Sequence, residues 1–253
     1  MLVDTHCHIH ESYELPLEDV FSHAEQKGVG QMICVGTSEE SSEEAITFAN
    51  AYPNTFAGIG VHPHNTKDGY AAIAELANSE PEKLVAVGEI GLDYFYTHSP
   101  REVQIEALKK QIEAALAHDL PIIFHVRDAF DDFWPIFDSY KGIRGVLHSF
   151  TDSKENLEIC LQKGLYIGVN GISTFTKDEA QKAVFDAIPL DRLLFETDAP
   201  FLTPAPYRGK VNEPAYVRVV AEYHAQRRNI SLEEITAAST HNARALFNLP
   251  AHP

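Results

Sequence analysis

Residues 1–10 read MLVDTHCHIH, a short apolar run, one aspartate and three histidines at alternate positions. In an extended chain Asp4, His6 and His8 share one face, because side chains repeat every two residues along a strand. Two imidazoles side by side at a strand end can hold a metal ion. The pair alone decides little. Scattering 13 histidines at random over 253 residues would give ~0.7 His-x-His pairs, and the spacing recurs at His62-Pro63-His64. What matters is which residues end the other strands.

Strand-like runs recur along the chain: 1–6 (MLVDTH), 31–37 (QMICVGT), 56–62 (FAGIGVH), 84–91 (LVAVGEIG), 121–126 (PIIFHV), 145–150 (GVLHSF), 165–170 (LYIGVN) and 192–198 (RLLFETD). They are short, apolar and rich in β-branched residues, as strands buried on both faces of a parallel sheet are. Helical patterns lie between them. Leu17, Val20, Phe21 and Ala24 make a 3.6-residue stripe that ends at Gly28, and Ile105, Leu108, Ile112, Ala115 and Leu116 make another. Ser231 and Glu234 have capping-box spacing, with Ile230 and Ile235 placed as a hydrophobic staple, and open a last helix running to about Phe247. Eight such units predict an α/β chain, a single (β/α)8 TIM barrel over residues 1–253 with an extra C-terminal helix. The alternative, an open doubly wound sheet, usually carries a Gly-rich turn after its first strand, where this chain has HCHIH.

Barrel chemistry gathers at the C-terminal ends of the strands. Strand one ends in His6 and continues to His8; strand three ends in His62, strand four reaches Glu89, and strand five reaches His125. Strand six reaches His148 and strand eight ends at Asp198. Alternation puts Val85, Val87 and Glu89 on one face, and likewise Ile123, His125 and Arg127, and Leu194, Glu196 and Asp198. Asp4 is placed to accept a proton from a ligating imidazole, and Glu196 to support the site from behind. Each residue taken singly is equally at home as a hydrogen-bonded polar group, a rim ion pair or a turn cap. Six ligand types converging on one end of one barrel argue for a metal site.

The balance of 20 Lys and Arg against 37 Asp and Glu gives a net charge of −17. Such a chain does not coat long nucleic acid or an anionic membrane by bulk electrostatics, so an anionic substrate must be drawn by local groups. Cys7, Cys34 and Cys160 are scattered and odd in number, which supports neither a disulfide framework nor a structural zinc knuckle and suits a cytoplasmic protein. Neither a signal peptide nor a run long enough to span a bilayer is expected.

With these residues in place, the chain resembles the TatD family of metal-dependent hydrolases, within the amidohydrolase-like barrels. The resemblance is carried by DTHCH, GVHPH, AVGEIGLDY, FHVRDA, GVLHSF, ETDAPFLTP and RGKVNEP, spread over residues 4 to 214, and by the C-terminal HNARALF. Val126 and Ser149 depart from the residues common at those places, and neither is a ligand position. The resemblance implies two divalent ions, of Zn²⁺, Mn²⁺ or Mg²⁺. His6, His8, Glu89 and Asp198 would serve one, and Glu89 would bridge to a second held by His125 and His148. Strand four offers Glu89 where related barrels carry a carbamylated lysine.

A paired-ion centre supplies an activated water for hydrolysis. Asp198 is placed to orient and deprotonate it, and Glu89 to fix the spacing of the ions. His62, His64, Arg127 and Arg208 are candidate phosphate contacts. The resemblance implies a deoxyribonuclease acting 3′→5′ on single-stranded DNA ends or on a small phosphodiester, as a monomer. The first rival is a hydrolase of amides or esters on the same dinuclear barrel, an aminoacyl-tRNA deacylase included. The second is a non-catalytic binding barrel, which would have lost ligands that are all present here.

Overall fold

A computed structural model describes residues 1–251. Eight strands, β1 (Leu2–Cys7), β2 (Val29–Val35), β3 (Thr55–Ile59), β4 (Leu84–Asp93), β5 (Ile122–Arg127), β6 (Gly145–Leu147), β7 (Tyr166–Val169) and β8 (Leu193–Phe195), form one sheet in sequence order. Ten α-helices accompany them: α1 (Leu17–Gln26), α2 (Glu39–Ala51), α3 (Ala72–Asn78), α4 (Arg101–Ala117), α5 (Phe130–Asp138), α6 (Lys154–Gln162), α7 (Ile172–Phe175), α8 (Glu179–Ala187), α9 (Val217–Arg228) and α10 (Leu232–Phe247). Consecutive parallel strands joined through helices are the expected (β/α)8 arrangement, and α10 is the extra C-terminal helix.

The chain divides into two compact units. One is built from Met1–Ile33 together with the residues from His148 onward, the other from Cys34–Leu147. In the first unit β7 pairs with β8 in parallel, Ile167 to Leu193 and Val169 to Phe195. β1 is linked to the segment after β8 by a parallel bridge between Cys7 and Ala199. Helix α10 starts as its capping box requires, with the Ser231 hydroxyl accepting from the Glu234 amide at 3.0 Å. It ends at Asn248 in the left-handed conformation. From α10, Asn242 donates to the carbonyls of Leu190 and Leu193, and Thr240 donates to the Met1 carbonyl. Phe195 and Phe247 are among this unit's largest fully buried side chains.

In the second unit β3, β4, β5 and β6 pair in parallel in that order. Between Val87 and Ile90 the register of β4 against β5 shifts by one residue. A bulge thus interrupts the simple alternation Val85, Val87, Glu89. Past it, Gly91 pairs with His125 and Asp93 with Arg127. Gly91 has φ +157°, and a Cβ there would lie 1.7 Å from the His125 carbonyl oxygen, so only glycine lets β4 approach β5 at this point.

Strands β6 and β8 are shorter than the sequence suggests. His148 lies just past β6, and Glu196 and Asp198 lie past β8 in irregular chain. Asp198 sits at φ +59° and Ser149 at φ +49°, so neither segment continues as a strand. The three cysteines are buried thiols. Among the described residues no helix is long and apolar enough to cross a membrane.

Candidate metal centre

In the first unit, β1 carries His6, and His8 follows one residue beyond its end. The chain past β8 is sewn to this strand end. The Asp198 amide donates to the His6 carbonyl at 2.9 Å, and the His8 amide donates to the Ala199 carbonyl at 2.7 Å. This brings Asp198 to the two imidazoles. His6 Nε2 and His8 Nε2 are 3.2 Å apart, His8 Nε2 and Asp198 Oδ1 are 3.3 Å apart, and His6 Nε2 and Asp198 Oδ1 are 3.6 Å apart. Two imidazole nitrogens and a carboxylate oxygen aimed at one point are a metal donor set. A tetrahedral ion with bonds of about 2.0 Å spaces its ligand atoms about 3.3 Å apart, close to all three separations. Burial alone would raise the Asp198 carboxyl. The hydrogen bond from His8 and the nearby imidazoles outweigh it and hold the group below the usual range.

His148 stacks on His6, with ring centroids 4.0 Å apart and planes 14° apart. Its Nδ1 lies 3.3 Å from Glu196 Oε1, which also accepts from the Ser149 amide at 2.6 Å. A buried carboxylate behind an imidazole fixes its ring orientation. Asp4 lies behind this group. Its oxygens accept from the Thr197 amide at 2.9 Å, the Thr197 hydroxyl at 2.6 Å and the His6 amide at 3.4 Å. Burial pushes its carboxyl up to about 8, against the Thr197 hydrogen bonds. Asp4 thus anchors the Asp198 segment from below. Asn212, unnoticed in RGKVNEP, anchors it from the other side by donating to the carbonyls of Thr197 and Phe201.

In the second unit, Glu89 is buried on β4 and His125 follows on β5. His125 Nδ1 lies 2.8 Å from Glu89 Oε1, and its Nε2 lies 3.0 Å from Asp93 Oδ2. A neutral imidazole donates through one nitrogen only, so a ring between two carboxylates needs a cation on its other side, either a proton or a metal ion. Glu89 and His125 fit an ion on one edge, with Asp93 accepting the remaining ring proton. Sequence reasoning missed Asp93, although GLDY placed it at the end of β4. Burial raises its carboxyl, but hydrogen bonds from His125, the Tyr96 amide and His64 carry it well below the usual range.

His62 Nε2 lies 3.5 Å from Glu89 Oε1, and its Nδ1 accepts from the His64 amide at 3.1 Å. The neutral ring therefore carries its proton on Nε2 and offers a donor, as a phosphate contact requires. His64 Nε2 faces Asp93 Oδ2 at 2.9 Å. Its pKa is lowered by burial, which Asp93 only partly offsets. Arg127 ends β5 and is exposed. Arg208 is engaged within its own unit, donating to the Thr203 carbonyl at 2.8 Å with its guanidinium 4.0 Å over the Phe175 ring.

His6–His8–Asp198, and Glu89 with His125, bring together donor types that could hold a divalent ion. Comparisons with known proteins agree in kind. The TatD related DNase family matches residues 3–248. An uncharacterized metal-dependent hydrolase of Bacillus subtilis, YabD, is 40% identical, covering 98% of this chain and the whole of that protein. A 3′-5′ ssDNA/RNA exonuclease, TatD of Salmonella typhimurium, is 36% identical, covering 92% of this chain and 93% of its own length. The crystal structure of the TatD homologue YJJV from Escherichia coli superposes with a TM-score of 0.90 at 31% identity, covering 98% of each chain. A family match over nearly the full length, with histidine and carboxylate clusters where its chemistry needs them, gives the conclusion that this chain belongs to the TatD family of metal-dependent hydrolases.

Proposed function

We propose that the chain, as one catalytic domain over residues 1–253, hydrolyses phosphodiester bonds and removes nucleotides from the 3′ end of single-stranded DNA. The similarity to the Salmonella exonuclease over 92% of this chain carries the reading. The donor clusters support it, because phosphodiester hydrolysis is a characteristic reaction of paired divalent ions. The ligands proposed are His6, His8, Glu89, His125, His148 and Asp198, with two ions per chain. When bound, the ions lower the pKa of a water and neutralise charge on the phosphate oxygens.

The protein's own groups do the rest. Asp198, held beside His6 and His8, orients the attacking water and accepts its proton. Asp4 and Asn212 keep the Asp198 segment in place, and Glu196 steadies His148. His62 donates from Nε2 to a phosphate oxygen, and the Arg127 guanidinium adds a charged donor pair. A free strand end needs few phosphate contacts, which reconciles the substrate with a net charge of −17. Three buried free thiols support the cytoplasm as the protein's proposed location.

The test is a 5′-labelled single-stranded oligonucleotide assayed beside ester, amide and aminoacyl-tRNA panels, with Mg²⁺, Mn²⁺ or Zn²⁺. Shortening from the 3′ end that is abolished by chelation is expected. Turnover of a carbonyl substrate with an inert oligonucleotide would overturn the reading.

A further inference from the structure

Directly after β4 the chain turns outward and exposes two large rings. Phe95 is 53% and Tyr96 42% exposed, among the few large hydrophobic side chains that face water. The rings meet edge to face, with centroids 4.7 Å apart and planes at 82°. Loop packing does not explain them, since rings placed for packing are buried. Arg127 lies beneath, its guanidinium carbon 3.9 Å from the Phe95 centroid and 5.1 Å from that of Tyr96. No carboxylate pairs with Arg127 among the described residues, so its N–H edges stay available while its face covers the ring.

The pair is also tied to the metal-type cluster of its own unit. Asp93 Oδ1 accepts from the amides of Phe95 at 3.0 Å and Tyr96 at 3.1 Å, while Oδ2 faces His125 and His64. One carboxylate thus fixes both the exposed rings and the candidate ligand His125. Tyr96 is further braced by His98, stacked at 5.5 Å, and by the edge of His64 at 5.3 Å.

We propose that Phe95 and Tyr96 are a stacking platform for a base of a single-stranded nucleic acid, with the edge of Arg127 taking the adjoining phosphate. The proposal rests on the phosphodiesterase reading above and names the subsite that would hold the strand. An acidic chain without a basic stripe gains little from bulk charge. Stacking supplies affinity that does not depend on net charge and accepts any base, since every base has a π face.

The experiment measures binding of phosphorothioate oligothymidylate, which resists hydrolysis, and of an abasic backbone of the same length, to metal-replete protein. The Phe95→Leu/Tyr96→Leu double variant keeps apolar bulk and loses the rings. It is expected to bind oligothymidylate about tenfold or more weakly than wild type, to bind the abasic strand equally, and to melt at the wild-type temperature. Equal losses on both strands, no loss on either, or no binding by wild type would each overturn the platform. Hydrolysis of an unmodified strand separates the two ideas. Base-dependent binding without cleavage keeps the platform and removes the phosphodiesterase reading. Cleavage with an unchanged KM in the double variant does the reverse.

Discussion

Asp4 grips Thr197 twice, accepting its amide at one carboxylate oxygen and its hydroxyl at the other. All of this is buried, and the residue after Thr197 is the candidate base Asp198. Asp4→Ala strands an amide and a hydroxyl in the interior, each at about 1–3 kcal/mol. The urea midpoint should fall accordingly, and turnover should fall with it, since Asp198 loses its anchor. Thr197→Val leaves the amide contact but removes the hydroxyl that donates to Asp4 and accepts from the Ala199 amide, and should lower the midpoint as well. A wild-type midpoint in Asp4→Ala would refute this role.

Asp198→Asn preserves volume and removes the charge that meets His6 and His8. Turnover should drop at least about a hundredfold with melting behaviour preserved. Metal content after equilibrium dialysis tells a lost ligand from a lost base. Full activity in a metal-replete Asp198→Asn sample would eliminate the assignment.

Two glycines give a matched pair. At Gly91 an added methyl would collide with the His125 carbonyl, whereas at Gly142, φ +82°, nothing lies within 4 Å. Gly142→Ala should cost about 1–2 kcal/mol, the left-handed penalty alone. Gly91→Ala should cost more than about 4 kcal/mol or yield no soluble protein. Comparable midpoints for the two would show that β4 can slide away from β5.

His224 makes stability depend on pH. It is buried, and its Nε2 faces the Ser173 hydroxyl at 2.9 Å. That hydroxyl donates to the Asn170 carbonyl, so it accepts from His224, and the ring is the Nε2–H tautomer. Its Nδ1 finds no partner among the described residues, so a second proton would be buried without an acceptor. Burial, with Arg228 and Arg227 adding to it and Asp186 opposing, lowers the pKa to about 3. Below the unfolded value of about 6.5 the unfolded chain takes up the proton and the folded one does not, so stability falls on acidification. Between pH 7 and 5 the loss should approach about 2 kcal/mol. His224→Gln should lack this component in urea titrations at the two pH values.

Salt offers a separate check on the substrate. A site with few phosphate contacts should lose oligonucleotide affinity gently as salt rises, with a slope of about −0.7 per contact on a log–log plot. A slope steeper than about −4 would demand a basic surface that a charge of −17 does not suggest.

The strands were legible because buried parallel strands are short apolar runs, and β1, β4 and β5 carry His6, Glu89 and His125 near the places that pattern implies. What the pattern did not carry is the route. A one-residue bulge precedes Glu89 and leaves no signature in composition. Asp198 lies where β8 has already ended, and tertiary hydrogen bonds hold its segment. Asp93 and Asn212 escaped notice for a related reason. Their roles lie in what they accept from or donate to, across distances in sequence that no local pattern records. The hold of Thr203 and Phe175 on Arg208 was hidden in the same way.

The burial of all three native thiols has a practical side. Dyes and spin labels that react with surface sulfur should leave the native protein unmarked. A cysteine introduced at Thr97, beside the exposed rings, would then be the sole attachment point. A fluorophore there would report directly on whether a strand arrives, without any turnover being needed.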